Sequence, residues 1–105
     1  MTAKEKKLKH EHDYYYEMSS FFSMFADCTR LKILHTLLDG DKCVKEISEV
    51  VGISQSACSH QLKTLRQYKV VKSKRVGRFV RYSISNEYIK EIVKIGESHI
   101  DKVKI

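Results

Sequence analysis

The sequence predicts a mainly α chain with a small β-hairpin, about five helices plus a two- to three-stranded wing. Three observations predict it. Apolar residues recur at helical spacing from Tyr14 to Leu65 and again from Ile89 to Val103. The pattern turns β-rich only between Val70 and Ile84, around Gly77. Two of the helical stretches are separated by a few residues containing Gly52, which is helix-turn-helix spacing. A hairpin directly after such a pair is a wing, so the expected architecture is a winged helix-turn-helix.

In chain order, residues 1–12 are polar and expected to form a flexible amino-terminal tail, leaving 13–105 as one domain for DNA binding and dimerisation. Tyr14, Met18, Phe21, Phe22 and Phe25 fall on one stripe of a first helix. Asp27 can cap a second helix through the amides of Thr29 and Arg30. Its expected core face is Leu31, Leu34 and Leu38, with Ile33 and Leu37 alongside and Gly40 as the stop. A short third helix carries Val44, Ile47, Val50 and Val51 and halts at Gly52. Ser54 caps a fourth helix that runs through Leu62 and Leu65 to about Tyr68. Val70–Arg75 and Phe79–Ile84 read as strands around Val76-Gly77-Arg78, where glycine can take the positive φ of a tight hairpin. The last helix begins near Ser85 or Asn86 and carries Ile89, Ile92, Val93, Gly96, Ile100 and Val103 on one side.

With 105 residues the chain is one modest domain, and pairing with a second copy would complete its core. Lys and Arg number 20 against 13 acidic residues, a formal charge of +7. The excess is concentrated: between Lys42 and Tyr82 lie Lys42, Lys45, Lys63, Arg66, Lys69, Lys72, Lys74, Arg75, Arg78 and Arg81, opposed only by Glu46 and Glu49. Such a stretch suits an anionic partner, because each neutralised phosphate releases counterions, although charge alone also fits a solvated face. Cys28, Cys43 and Cys58 form no CxxC pair, nothing resembles a signal peptide, and no apolar run nears the ~20 residues of a membrane span. Reduced thiols in a cytoplasmic protein without a membrane partner are expected.

The fourth helix has two faces. Cys58, Leu62 and Leu65 point to a core, while Gln55, Ser56, Ser59, His60, Lys63, Thr64 and Arg66 make a polar side. Gln can bridge an adenine edge, Ser, Thr and His reach bases or phosphates, and Lys and Arg pair with phosphate or guanine. The helix start at Ser54 offers free amides to a phosphate. The hairpin adds Lys72, Lys74, Arg75, Arg78 and Arg81, with no acidic residue from Lys69 to Ser85. Strand-borne arginines can grip phosphates or enter the minor groove.

Phe25-Ala26-Asp27-Cys28-Thr29-Arg30-Leu31-Lys32-Ile33-Leu34 resembles the second-helix signature of the ArsR/SmtB family of metal- and stress-responsive repressors. Ser54-Gln55-Ser56-Ala57-Cys58-Ser59-His60-Gln61-Leu62-Lys63-Thr64-Leu65 resembles that family's recognition helix, and Gly77-Arg78 with Tyr82-Ser83-Ile84 its wing. The resemblance implies a homodimer built from the first and last helices, bound to a double-stranded DNA operator with dyad symmetry. It places Ser54, Gln55, Ser56, Ser59, His60, Gln61, Lys63, Thr64 and Arg66, with Lys74, Arg75, Arg78 and Arg81 of the wing, at DNA-reading positions.

The family's metal sites match less well. Its last-helix ligand positions hold Asn86, Tyr88, His99 and Lys102, of which only His99 is a ligand type. Its Cys-x-Cys at the third helix is Cys43-Val44-Lys45 here. Candidate ligands for a regulatory divalent metal ion are therefore Cys43 and His99, with His10 and His12 joining Cys43 across a dimer; the competing reading of the two histidines is a solvated tail. Cys28, at a helix start where the dipole favours thiolate, is the reactive-thiol candidate, against a small buried filler. Release of DNA by a metal or a thiol-reactive signal is the expectation. The alternative function is a winged helix that docks an acidic protein without sequence-specific DNA binding. No Ser-His-acid or Cys-His spacing and no glycine-rich phosphate loop supports an enzyme.

Overall fold

Asp27, Ser54 and Asn86 each start a helix with a short polar side chain that accepts a hydrogen bond from a free amide. The computed structural model describes residues 2–5 and 12–104; most of the expected tail, including His10, and the side chain of His12 lie outside the described residues. From His12 onward the chain forms α1 (His12–Ser23), α2 (Cys28–Thr36), a 3-10 turn (Leu37–Asp39), β1 (Lys42–Cys43), α3 (Val44–Val51), α4 (Gln55–Gln67), β2 (Val71–Val76), β3 (Phe79–Ile84) and α5 (Glu87–Val103). These are the helices and wing of a winged helix-turn-helix.

Helix α1 ends in tightened i→i+3 bonds, Met24 N–H to Phe21 O at 3.1 Å and Phe25 N–H to Phe22 O at 3.0 Å. They bring Phe21 edge-on to Phe25, centroids 5.2 Å apart. Helix α1 otherwise stands nearly clear of the other elements; Phe21, Met24 and Phe25 anchor it to the core. Asp27 caps α2 through the Arg30 amide alone, at 3.0 Å. Ile33 and Leu34 of α2 and Leu37 just after it are fully buried and Leu38 packs half-buried against the core, so of the expected core face only Leu31 turns away. Leu31 is 39% exposed. At 100° per residue it lies well round the helix from Ile33 and Leu37, and it borders a groove facing α5.

The Cys43 N–H donates to Glu46 Oε1 at 3.0 Å and starts α3. Gly52 ends that helix at φ +80, a left-handed position that suits glycine. Ile47 is buried, but Val50 is exposed. Ser54 Oγ accepts the Ala57 N–H at 3.0 Å and opens α4, whose Cys58, Leu62 and Leu65 are fully buried. The helix-turn-helix turn is thus residues 52–54.

The sheet runs β1-β3-β2, all antiparallel. Val71 pairs with Ile84 and Val76 with Phe79, so Gly77 and Arg78 make a two-residue turn with positive φ (+62) at glycine. The third strand is the short β1, in which Lys42 faces Tyr82 and Cys43 faces Arg81. Asn86 Oδ1 accepts the Ile89 N–H at 3.3 Å to start α5, whose Ile89 and Val93 reach the core. No helix of the described residues is long and apolar enough to cross a membrane.

Candidate nucleic-acid interface

Three fully buried side chains, Cys58, Leu62 and Leu65, fix which way α4 faces. Gln55, Ser56, Ser59, His60, Lys63 and Arg66 are therefore exposed, while Gln61 and Thr64 sit half-buried on the flanks. Ser54 Oγ is occupied as the cap, and Thr64 Oγ1 donates back to His60 O at 3.3 Å. Capping Ala57 leaves the first amides of α4 pointing along its axis, where an anion is favoured. Burial pushes the Cys58 thiol pKa up, which suits packing and not reactivity.

The wing has a core face and an outer face. The pairing puts Val71, Ser73, Arg75, Val80, Tyr82 and Ile84 on the first, and Lys72, Lys74, Val76, Phe79, Arg81 and Ser83 on the second. Arg66, near the end of α4, donates from Nη1 to Ser73 Oγ at 3.2 Å and ties α4 to the core face of β2. Lys74, Arg75 and Arg78 are exposed, and they and Lys63 have no ion-pair partner among the described residues. The exposed α4 side chains and these wing cations form one polar, cationic surface.

Arg81, expected as a DNA contact, is engaged by acidic and backbone oxygens of the protein itself. Its side chain is 30% exposed, and its guanidinium donates from Nε to Asp41 Oδ1 (3.1 Å), from Nη2 to Asp41 O (2.9 Å) and from Nη1 to Glu46 Oε1 (3.2 Å). The hydrogen bond to Asp41 raises the Arg81 pKa above its ordinary value. The Cys43 N–H, ahead of Arg81, lowers that of Glu46. Sequence reasoning missed this cluster, although the hairpin register held a signal: it sets Lys74 directly opposite Arg81, a like-charge pair that calls for nearby acid.

The expected thiol and metal candidates are scattered. Cys28 is exposed at the first turn of α2, beside an apolar hollow bordered by Phe25, Leu31, Val50 and Val51. Cys43 is half-buried at the start of α3, and His99 is exposed on α5. Among the described residues, no three His, Cys, Asp or Glu side chains gather in a metal-binding group.

Residues 27–73 match the model of the bacterial regulatory protein, arsR family. The chain is 34% identical to the cadmium resistance transcriptional regulatory protein CadC of Listeria innocua over 82% of its own length and 73% of that protein's. The chain belongs to the ArsR family. It is also 35% identical to a transcriptional repressor SmtB homolog of Synechocystis over 82% of its length, spanning 65%, just under two thirds, of that relative. The crystal structure of NolR from Sinorhizobium fredii superposes with a TM-score of 0.77 at 29% identity, covering 86% of this chain and 90% of that one. The homodimeric winged helix-turn-helix DNA-binding domain Mb0332 from Mycobacterium bovis shares the fold at a TM-score of 0.82 and 21% identity, over 90% and 87% of the two chains.

An ArsR-family chain is a transcriptional regulator, and several relatives are named for metal resistance. The last-helix ligand positions of this member do not fit a metal. Asn86 Oδ1 is engaged by the Ile89 amide, Tyr88 is exposed, and Lys102 puts a cation at the fourth position.

Proposed function

We propose that this chain is a cytoplasmic repressor that binds a palindromic DNA operator as a homodimer and is released by a metal ion or a thiol-reactive compound. One observation carries the DNA reading: the exposed face of α4, with Gln55, Ser56, Ser59, His60 and Lys63, lies beside a wing whose Lys74, Arg75 and Arg78 are unpaired among the described residues. Gln55 and His60 read base edges; Lys63, Arg66 and the wing cations hold phosphates. Gln61 and Thr64 support the flanks, and Ser54 presents the helix start to the backbone.

Dimerisation through α1 and α5 is supported by the surface left uncovered. Phe22 of α1 and Ile95, Ile100 and Val103 of α5 are among the exposed apolar side chains. A two-fold pair would set the two α4 helices against half-sites about 34–36 Å apart. As for the signal, Cys28 is the exposed thiol, and Cys43 with residues of the amino-terminal segment is the remaining metal candidate.

Selection of duplexes from a random pool, followed by titration at several salt concentrations, tests this. The expected result is a palindromic site whose affinity falls steeply with salt. Gln55→Ala and His60→Ala lose the preference for that site. Affinity that stays flat with salt, or preference unchanged in both variants, would overturn the proposal.

A further inference from the structure

We propose that Arg81 is a positioning residue that fixes the angle between the wing and the helix-turn-helix, and that it takes no phosphate itself. This rests on the DNA-binding reading above and assigns a separate task to one of its basic residues.

The geometry gives three reasons. First, all three nitrogens of the Arg81 guanidinium donate, through three of its five N–H groups, and they span two pieces of chain: the loop at Asp41 and the first turn of α3 at Glu46. Arg81 lies at the middle of β3, so a single side chain connects the wing to the start of the helix-turn-helix. Second, the strand pairing continues the same connection, because Cys43 faces Arg81 across β1 and β3 and its amide is held by the same Glu46 oxygen. Third, the opposite face of the hairpin carries its own tie, Arg66 to Ser73. The wing is held from both sides, to α4 on its core face and to α3 on its outer face. Exposed ion pairs seldom matter singly, but a guanidinium held by a side-chain oxygen, a backbone oxygen and a second carboxylate has the network geometry in which they do.

A phosphate contact and a positioning role predict opposite behaviour for lysine at this site. Lysine keeps the charge that a phosphate needs but loses the planar fork that spans Asp41 and Glu46. The test compares Arg81→Lys, Arg81→Gln and Asp41→Ala with the wild type, in two measurements. In free protein, amide hydrogen exchange at Val80 to Ser83 is expected to quicken about tenfold in all three variants, with Leu62 and Leu65 unchanged as the control for global unfolding. On a duplex selected by the wild type, Arg81→Lys and Arg81→Gln are both expected to bind several-fold more weakly with the wild-type salt slope.

Unchanged exchange in the wing would overturn the proposal. So would wild-type affinity in Arg81→Lys, or a slope reduced by about 0.9 for each phosphate lost. If the wild type bound no duplex, the DNA-binding reading would fall, while the exchange measurement would still decide the anchor.

Discussion

Arg66 Nη1 and Ser73 Oγ, 3.2 Å apart, join the end of α4 to the core face of the wing. The bond is exposed, so its net worth is about 0.5–1.5 kcal/mol at most. Ser73→Ala is expected to lower unfolding free energy by less than about 1 kcal/mol and to leave the salt slope of DNA binding untouched, since Arg66 keeps its charge. Arg66→Ala removes a cation and is expected to flatten the slope by about 0.9 per protomer. Denaturant titration and salt-dependent binding of the two variants check the pair. Equal slopes in both variants would remove Arg66 from the phosphate contacts.

A second relationship sits just beyond that helix. Lys69 adopts φ +58, the one left-handed non-glycine among the described residues, and the Val70 N–H reaches back to Leu65 O at 2.9 Å to close α4. A side chain there costs roughly 1 kcal/mol relative to glycine, partly offset by glycine's greater freedom when unfolded. Lys69→Gly is expected to stabilise the fold by about 0.5 kcal/mol, read as a higher denaturant midpoint at unchanged m-value. A lower midpoint would contradict the strain assigned here.

The accuracy of the sequence reading follows the range of the forces involved. Asp27, Ser54 and Asn86 cap amides three residues away, and Gly52 and Gly77 turn the chain where they stand, so these boundaries were legible locally. The polar face of α4 was legible because it is the complement of Cys58, Leu62 and Leu65. Leu31 was misplaced because periodicity marks an apolar residue without saying which surface covers it. β1 and the Asp41–Arg81–Glu46 cluster escaped because residues 35 to 40 positions apart meet only after the sheet forms. Two residues of β1 leave too short a pattern to read.

Acid should weaken the fold through two carboxylates. Asp39 has its pKa lowered chiefly by the hydrogen bond from Lys42 Nζ at 2.6 Å, and Glu46 by the Cys43 N–H. A carboxyl with a depressed folded pKa contributes stability that is complete above its unfolded value, near 4, and is lost as pH falls through the folded value. The thermal midpoint is therefore expected to hold level from neutral pH to about 5 and to decline below about 4. Glu46→Gln should start lower and decline less steeply on that acid limb. An acid limb parallel to the wild type would show that Glu46 contributes nothing through its charge.

The apolar arc of α5 is wider than its own core can cover. At 100° per residue, Ile89 and Val93 face inward, while Ile92 and Ile95 carry the same arc round to the open side. Ile95 and Val50 are each 67% exposed, one on α5 and one on α3, so lysine at either site should cost the isolated protomer little. If α1 and α5 meet a second copy, the two substitutions diverge. Ile95→Lys buries a charge at the contact, and sedimentation should show a monomer that binds operator far more weakly, because two half-sites are no longer held together. Val50→Lys should sediment as the wild type does. A dimer that survives Ile95→Lys would move the interface away from this face of α5 and with it the expected spacing of the two reading helices.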